Sequence, residues 1–306
     1  MSDPRPIQNA MTVDVEDYFQ VSAFEAVVDR DDWGAFELRV ERSTRRLLAL
    51  FAAHDVKATF FTLGWVAERC PELVRDIHLA GHELASHGYA HRLVHSLDAE
   101  AFRDDLARAR EALETAAPGA VIDGFRAPSF SITPDTLWAY DVMREEGYRY
   151  SSSVFPVRHD RYGMPRFPRG PVRLTDYAGR SIWEVPMTTW RVLGRNVPIA
   201  GGGWMRVLPP AVMRRGIRAA NAEGTAAIIY LHPWEIDPGQ PRMATATRGS
   251  RLRHYVNLDK THDRLRSLLE TFPFGTMRDV LDAAESEAHS VTAPLAPTAL
   301  ASLVAS

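Results

Sequence analysis

Residues 57–91 read KATFFTLGWVAERCPELVRDIHLAGHELASHGYAH and hold the clearest structural signal in the chain. The first seven residues, Lys57–Leu63, are rich in β-branched and aromatic side chains and predict a buried strand. Pro71 and Gly81 then bracket a helix, because proline suits the first helical position and glycine the position just past the last. The segment His82–Ser86 predicts another strand. Strand, helix and strand in succession indicate a parallel βαβ unit.

The same alternation extends to both sides of this unit. Further strands are predicted at Ala10–Val15, Val121–Arg126, Tyr148–Ser152 and Ala226–Leu231, with helical spacing of apolar residues between them. This order predicts an α/β protein built on a parallel sheet, either open or closed into a barrel. The segment Ser153–Met205 breaks the pattern, because it is rich in proline, glycine and arginine. We expect an irregular insertion of hairpins and loops there.

Composition limits the possible functions. Of the 306 residues, 45% are hydrophobic and 25% charged, and the net charge of −3 gives no basic surface for nucleic acid. One cysteine allows neither an internal disulfide nor a cysteine-based zinc site. No apolar run is long enough to span a bilayer, and Met1–Ala10 lacks the order of a signal peptide, so a cytoplasmic protein is expected. We predict one catalytic domain over residues 1–285 and a disordered tail over 286–306.

Carboxylates lie at the end of the first predicted strand, which is the edge of a parallel sheet where active sites form. They are Asp14, Glu16 and Asp17. Side chains alternate along a strand, so Asp14 and Glu16 should point the same way. Such a group suits a metal ligand beside a general base. It equally suits a solvated turn with a helix cap.

Histidines and an arginine follow the other strands. His87 and His91 are four residues apart, and on a helical turn both imidazoles could share one ion. Gly88 stands where a metalloprotease would have glutamate, which argues against a peptidase. Arg126 could hold a carboxylate through two parallel hydrogen bonds, and His232 could act as a general acid. Taken singly, each residue also fits a structural role.

Together, these motifs resemble the polysaccharide deacetylase family, also called the NodB-homology or carbohydrate esterase family 4 group. The shared order is an acidic strand end, H-x-x-x-H at 87–91, R-x-P-x-F at 126–130 and Leu-His at 231–232, and it covers roughly residues 11–235. Three additional motifs resemble deacetylases that accompany bacterial exopolysaccharide gene clusters linked to exosortase systems: WEVP at 183–186, GGGW at 201–204 and LHPWE at 231–235.

The resemblance implies a distorted (β/α) barrel with fewer than eight regular strands. It also implies catalytic roles: Asp14 as general base, Arg126 as the residue that holds it, and His232 as general acid. The substrate would be an N-acetylated oligo- or polysaccharide, and the reaction would remove acetyl groups from N-acetylhexosamine units of a bacterial exopolysaccharide or its precursor.

The resemblance further implies one divalent metal ion bound by His87 and His91. Zinc is the first choice, and cobalt, manganese or iron are alternatives. The family's usual pair of adjacent aspartates is interrupted by Val15. The third ligand would therefore be Glu16, with Asp17 as its competitor.

Four residues are expected to contact the substrate. Leu231 would line the acetyl pocket, while Phe130, Trp204 and Trp234 could form a sugar-binding surface or belong to the core. Two other functions remain open at this point. One is hydrolysis of a small cyclic amide, as in the allantoinase relatives of the family, and the other is carbohydrate binding without catalysis. The tryptophan and glycine residues within 153–205 favour a long substrate.

Overall fold

One curled sheet of nine strands organises the computed structural model, which describes residues 6–159, 162–244 and 246–291. Two more strands form a separate hairpin. The eleven strands described are β1 Asn9–Val15, β2 Thr59–Thr62, β3 Glu83–Ser86, β4 Gly124–Phe125, β5 Tyr150–Ser151, β6 Val172–Thr175, β7 Ser181–Glu184, β8 Thr189–Val192, β9 Arg195–Pro198, β10 Ile228–Leu231 and β11 Phe274–Gly275.

Helices connect most of these strands. Several begin at the signals expected from sequence, such as Pro71 and Pro210 at a first helical position and Asp98 as a side-chain cap. The α-helices described are α1 Val40–Ala53, α2 Gly64–Arg69, α3 Pro71–Leu79, α4 Ala99–Ala116, α5 Ala139–Glu145, α6 Gly202–Val207, α7 Pro210–Ala222, α8 Arg248–Tyr255, α9 Leu258–Leu269 and α10 Met277–Val291.

The strand order is β10-β1-β2-β3-β4-β5-β7-β6, and β11 also pairs with β1. Every pair in this sheet is parallel except β6–β7. Among the described residues β6 and β10 do not pair, so the sheet curls without closing. The predicted α/β class with a distorted barrel is therefore confirmed.

Alternation along the strands separates two cores. On β1, Met11, Val13 and Val15 join the large cluster that packs under the helices. Ala10 on β1 and Phe61 on β2 face the other way, into the cluster inside the curled sheet. Helix α10 closes the bottom of this interior with Met277, Val280 and Leu281. The top is the end where the parallel strands finish, and the polar side chains collect there.

The predicted insertion consists of two hairpins. The β8–β9 hairpin is separate from the main sheet, as expected of an insertion. In the other hairpin, Ser181–Glu184 pairs in parallel with β5, so this part of the predicted insertion is an integral strand of the barrel.

The end of the chain differs from expectation in one place. Helix α10 continues to Val291, so residues 286–291 of the predicted disordered tail are helical. The remaining part of that predicted tail, 292–306, lies outside the described residues. Within the described residues, no helix combines the length and apolarity that a membrane crossing requires.

Candidate active site

Four polar side chains occupy the first position after four strands. They are Glu16 after β1, His87 after β3, Arg126 after β4 and His232 after β10. The strand register aligns these ends, since Val13 pairs with Leu231, Val15 with Thr62, Thr62 with Ser86 and Ser86 with Phe125. Glu16, His87 and His232, together with Asp14 and His91, line one pocket of about 170 Å³.

Glu16, His87 and His91 form a compact group of potential metal ligands. One ligand atom from each lies within 4.8 Å of the others, and all three residues are buried. Glu16 Oε2 is 2.9 Å from His91 Nε2, yet it has no partner in hydrogen-bond geometry among the described residues. A buried carboxylate oxygen without a hydrogen bond is costly unless a cation completes it. The donor set of two imidazoles and one carboxylate therefore fits a divalent metal ion.

Hydrogen bonding and burial prepare His87 for this role. Its Nδ1 donates to the carbonyl oxygen of Arg126 at 2.7 Å, which leaves the Nε2 lone pair free for a cation. Burial lowers the pKa of His87 to about 4, so the ring is neutral at pH 7. Burial alone would raise the pKa of Glu16, but His91 and His232 lower it to about 2, so this carboxylate is ionised.

The segment 87–91 is a loop, and the predicted helical turn is wrong. Gly88 and His91 both have left-handed backbone, with φ of 74° and 50°. The imidazoles meet because the loop folds back, which places their ring centroids 5.5 Å apart. Arg30 holds the loop by donating to the carbonyls of Ala90 and His91 at 2.8 and 3.0 Å. Asp105 accepts from the amide of Tyr89 at 2.9 Å.

Asp17 does not belong to the ligand group, which corrects one of the two candidates for third ligand. Its carboxylate turns toward the start of α1 and accepts the amides of Arg39 and Val40 at 2.6 and 2.8 Å. It also accepts the amide of Tyr18. The backbone has left the strand by this residue, so Asp17 caps a helix while Glu16 faces the pocket.

Asp14 and Arg126 form a buried ion pair below the ligand group. Arg126 Nη1 is 2.6 Å from Asp14 Oδ1 and 2.8 Å from Thr12 Oγ1. Its other donors go to the carbonyl and hydroxyl oxygens of Ser152. The expected two parallel bonds to the aspartate are therefore absent. Arg126 holds Asp14 through one nitrogen and is itself held by Thr12 on β1 and by Ser152 just after β5, while its guanidinium stacks over Phe61.

His232 is linked to a chain of charged residues that was not anticipated. Its Nδ1 lies 3.1 Å from Glu235 Oε2, and Glu235 Oε1 accepts from Arg206 Nε at 2.8 Å. On the opposite side, His232 Nε2 is 3.5 Å from Glu16 Oε1. Burial would lower the pKa of His232, but Glu16 and Glu235 outweigh it and raise the pKa to about 9. The ring is therefore protonated at pH 7.

The glycines at 201–203 let α6 approach this chain. A Cβ on Gly202 would overlap the carboxylate of Glu235, and a Cβ on Gly201 would clash with the hydroxyl oxygen of Tyr230 at 2.5 Å. Two adjacent glycines are thus required for close packing, not for an unusual backbone conformation. This accounts for the first two glycines of the GGGW motif at 201–204.

The expected substrate contacts are partly corrected. Leu231 is buried in the core under the helices and does not line the pocket, because it falls on the outer face of β10. Its neighbour Tyr230 faces inward and lines the pocket instead. Phe130 and Trp234 also line it. Trp204 lies in a larger adjoining cavity of about 1320 Å³.

The sequence predicted the central residues of the site but not the residues that support them. Thr12, Ser152, Arg206, Tyr230 and Glu235 were not singled out. Glu235 carried the only usable signal, since an acid three residues after a histidine at a helix start indicates a capping box. The 3-10 turn Pro233–Ile236 has that arrangement.

Two family models match the chain, and solved structures share its fold. The model described as "Polysaccharide deacetylase" matches residues 31–151, and a domain of unknown function (DUF3473) matches residues 152–282. A protein from Mycobacterium smegmatis described as a candidate polysaccharide deacetylase has the same fold, with a TM-score of 0.60, 20% identity and coverage of 96% and 97% of the two chains. An allantoinase also shares the fold, with a TM-score of 0.56, 15% identity and coverage of 94% and 95%.

Sequence relatives match shorter regions. A chitooligosaccharide deacetylase from Rhizobium leguminosarum bv. trifolii is 34% identical over 83 residues, which are 27% of this chain and 39% of that protein. The chain spans about two fifths of the length of the curated relatives it matches. The family model covers the segment that carries both histidines and Arg126, so residues 31–151 match the polysaccharide deacetylase family.

Proposed function

We propose that this protein is a metal-dependent N-deacetylase that removes acetyl groups from N-acetylhexosamine units of a bacterial exopolysaccharide or its precursor. One observation carries the proposal: Glu16, His87 and His91 share a pocket with His232 and with Asp14, which Arg126 holds. A base and an acid on either side of a cation site are the parts that amide hydrolysis requires. The family and its chitooligosaccharide deacetylases support the substrate class.

Glu16, His87 and His91 would hold the ion, and zinc suits two imidazoles and one carboxylate best. Cobalt, manganese or iron would fit the same donors. When bound, the cation polarises the acetyl carbonyl and makes water more acidic.

Asp14 accepts the proton of the attacking water. Its Oδ1 is occupied by Arg126, so Oδ2 is the oxygen that receives the proton. The water oxygen forms a bond to the acetyl carbon. Arg126 orients Asp14, because the guanidinium is itself anchored to Ser152, the residue directly after β5.

His232 supplies the second proton. Its Nδ1 is bonded to Glu235, so the proton on Nε2 is the one available to the pocket. As the carbon–nitrogen bond breaks, this proton passes to the departing amine. The products are acetate and a free amino sugar. Glu235 stabilises the imidazolium before the transfer and orients the ring.

Acetate release from chitooligosaccharides tests the proposal. The purified protein should carry about one divalent ion per chain, and His87→Ala should lose both the ion and the activity, because too few ligands remain. Asp14→Asn and His232→Ala should keep the ion but lose about 10²–10⁴-fold in rate. A protein that binds no metal and releases no acetate would instead be a carbohydrate-binding relative.

Hydrolysis of a small cyclic amide is the weaker alternative. A shared fold does not determine function, so the fold shared with an allantoinase does not favour cyclic-amide hydrolysis over other activities. The adjoining cavity of about 1320 Å³ favours a large substrate, since a small cyclic amide would leave it empty. Turnover of allantoin without acetate release from sugars would reverse this choice.

A further inference from the structure

A large cavity opens directly beside the catalytic pocket. Its volume is about 1320 Å³, compared with about 170 Å³ for the pocket. The two share lining residues, among them Ser22, Ser129 and Tyr230. A substrate whose acetyl group reaches the pocket therefore extends into the cavity. This volume exceeds the range of roughly 300–1,000 Å³ that holds a drug-sized ligand.

One wall of the cavity is aliphatic. Val207 on α6 and Leu252 on α8 line the cavity and are 59% and 71% exposed, and Leu93 and Val256 line it too. Exposed aliphatic side chains gathered at one cavity indicate an apolar ligand surface. Trp204 is the only tryptophan among the lining residues identified. Tyr162 and Tyr230 line both the cavity and the catalytic pocket, so these aromatic rings lie beside the pocket, where a sugar ring would bind, and the exposed aliphatic side chains suit a hydrocarbon.

Arginines border the same wall. Helix α8 carries Arg248, Arg251 and Arg253 but no acidic residue, and Arg242 lies near its end over the ring of Tyr255. None of these four guanidiniums forms an ion pair with a carboxylate in the part of the chain that the structure describes. Arg253 lines the large cavity, and the other three line a shallow hollow that shares Leu252 and Val256 with it. Unpaired arginines at one edge suit a phosphate group.

Hydrogen bonds connect α8 to the reaction centre. His232 contacts Glu235, and Glu235 contacts Arg206. Arg206 Nη1 then donates to the carbonyls of Arg253 and Val256 at 2.9 and 3.2 Å. The backbone around α8 is thus tied to the catalytic pocket, while the arginines of α8 and Leu252 lie outside that pocket.

We propose that the substrate is an N-acetylated sugar joined through phosphate to a hydrocarbon chain. The sugar would occupy the catalytic pocket, the phosphate would meet the arginines of α8, and the hydrocarbon would lie along Val207 and Leu252. This assignment rests on the proposed deacetylase function and narrows it to a lipid-linked precursor, in preference to a finished polymer.

Binding of farnesyl diphosphate tests the surface without any catalysis. Titration calorimetry should detect binding by the wild-type protein and by Asp14→Asn. The double variant Arg251→Ser/Arg253→Ser should bind about tenfold or more weakly, which is the loss of at least one charge-assisted hydrogen bond. Leu252→Ser should bind several-fold more weakly, because apolar contact is lost. Arg195→Ser is the matched control, since it removes an exposed arginine of the β8–β9 hairpin.

Kinetics then separate this inference from the function itself. N-acetylglucosamine linked through diphosphate to farnesol should release acetate with at least tenfold higher kcat/KM than tri-N-acetylchitotriose, and the arginine double variant should remove that preference. Equal kcat/KM values for the two substrates, or farnesyl diphosphate affinity unchanged in the variants, would overturn the inference while leaving a deacetylase. Arginine-dependent binding to anionic vesicles without binding of farnesyl diphosphate would also overturn it, in favour of membrane docking. Acetate release from neither substrate would refute the proposed function, whatever the binding result.

Discussion

Replacing Gly88 with alanine should damage the metal site without touching a ligand. Gly88 directly follows His87 and has a φ of 74°, which side chains other than glycine rarely adopt. A Cβ there would lie 2.6 Å from Asp105 Oδ2. That oxygen accepts the amide of Tyr89 and fixes the loop between the two histidines. Either the carboxylate or the loop must move.

Two costs add in this variant. The left-handed backbone costs an alanine about 1–2 kcal/mol. Displacing Asp105 leaves the amide of Tyr89 without its partner, which costs about 1–3 kcal/mol. The total of about 2–5 kcal/mol should lower Tm by about 4–10 °C, taking about 2 °C per kcal/mol for a chain of this size. The shifted loop should also weaken metal binding by about 10–100-fold, as loss of supporting contacts around a metal ligand commonly does.

Gly119 provides the matched control. It also has left-handed backbone, with φ of 87°, but a Cβ there meets nothing within 4 Å. Gly119→Ala should therefore lower Tm by only about 2–4 °C and leave metal affinity unchanged. Thermal unfolding of the metal-free proteins and a competitive chelator titration measure both quantities. Equal losses of Tm in the two variants, with normal metal affinity in Gly88→Ala, would refute the reasoning.

Three other substitutions test the site. Glu16→Gln should lower the metal content, whereas Asp17→Asn should leave it near normal. Asp17→Asn should instead reduce the free energy of unfolding by about 1 kcal/mol, because the helix cap is weakened. Metal analysis and thermal unfolding measure both effects, and the reverse pattern would make Asp17 the ligand. Glu235→Gln removes a negative charge that helps raise the pKa of His232 to about 9, so the alkaline limb of the kcat/KM profile should move to lower pH by about one to two units. An unmoved limb would mean that His232 is not the acid. Arg126→Lys should retain more activity than Arg126→Leu but less than the wild type, since a point charge cannot bind both the aspartate and the neighbouring strand; equal rates for all three would make this arginine dispensable.

Local patterns in the sequence determined the architecture and most of the central residues. A run such as Lys57–Leu63 is apolar and β-branched whatever surrounds it, and Pro71 with Gly81 marks a helix within a few residues. Parallel strands all end at one edge of the sheet, so residues such as His87 and His232 could be assigned to a common site before any contact was known.

Only the tertiary structure decided between neighbouring residues. Glu16 and Asp17 differ by one position, and the turn after β1 sends one to the ligand group and the other to the start of α1. Tyr230 lines the pocket where Leu231 was expected, because the inward face of β10 depends on how the whole sheet curls. A shift of one residue along a strand reverses the face, so a motif alone does not settle it.

The support of the site likewise depends on distant segments. Arg206 reaches Glu235 across 29 residues, and Arg126 reaches Asp14 across 112. Arg30 crosses 61 residues to hold the carbonyl of His91. Such contacts have no local signature, because each arginine also fits an ordinary surface position in its own segment. They form only when helices and loops pack on the curled sheet, where burial makes every unpaired charge costly and so selects the partners.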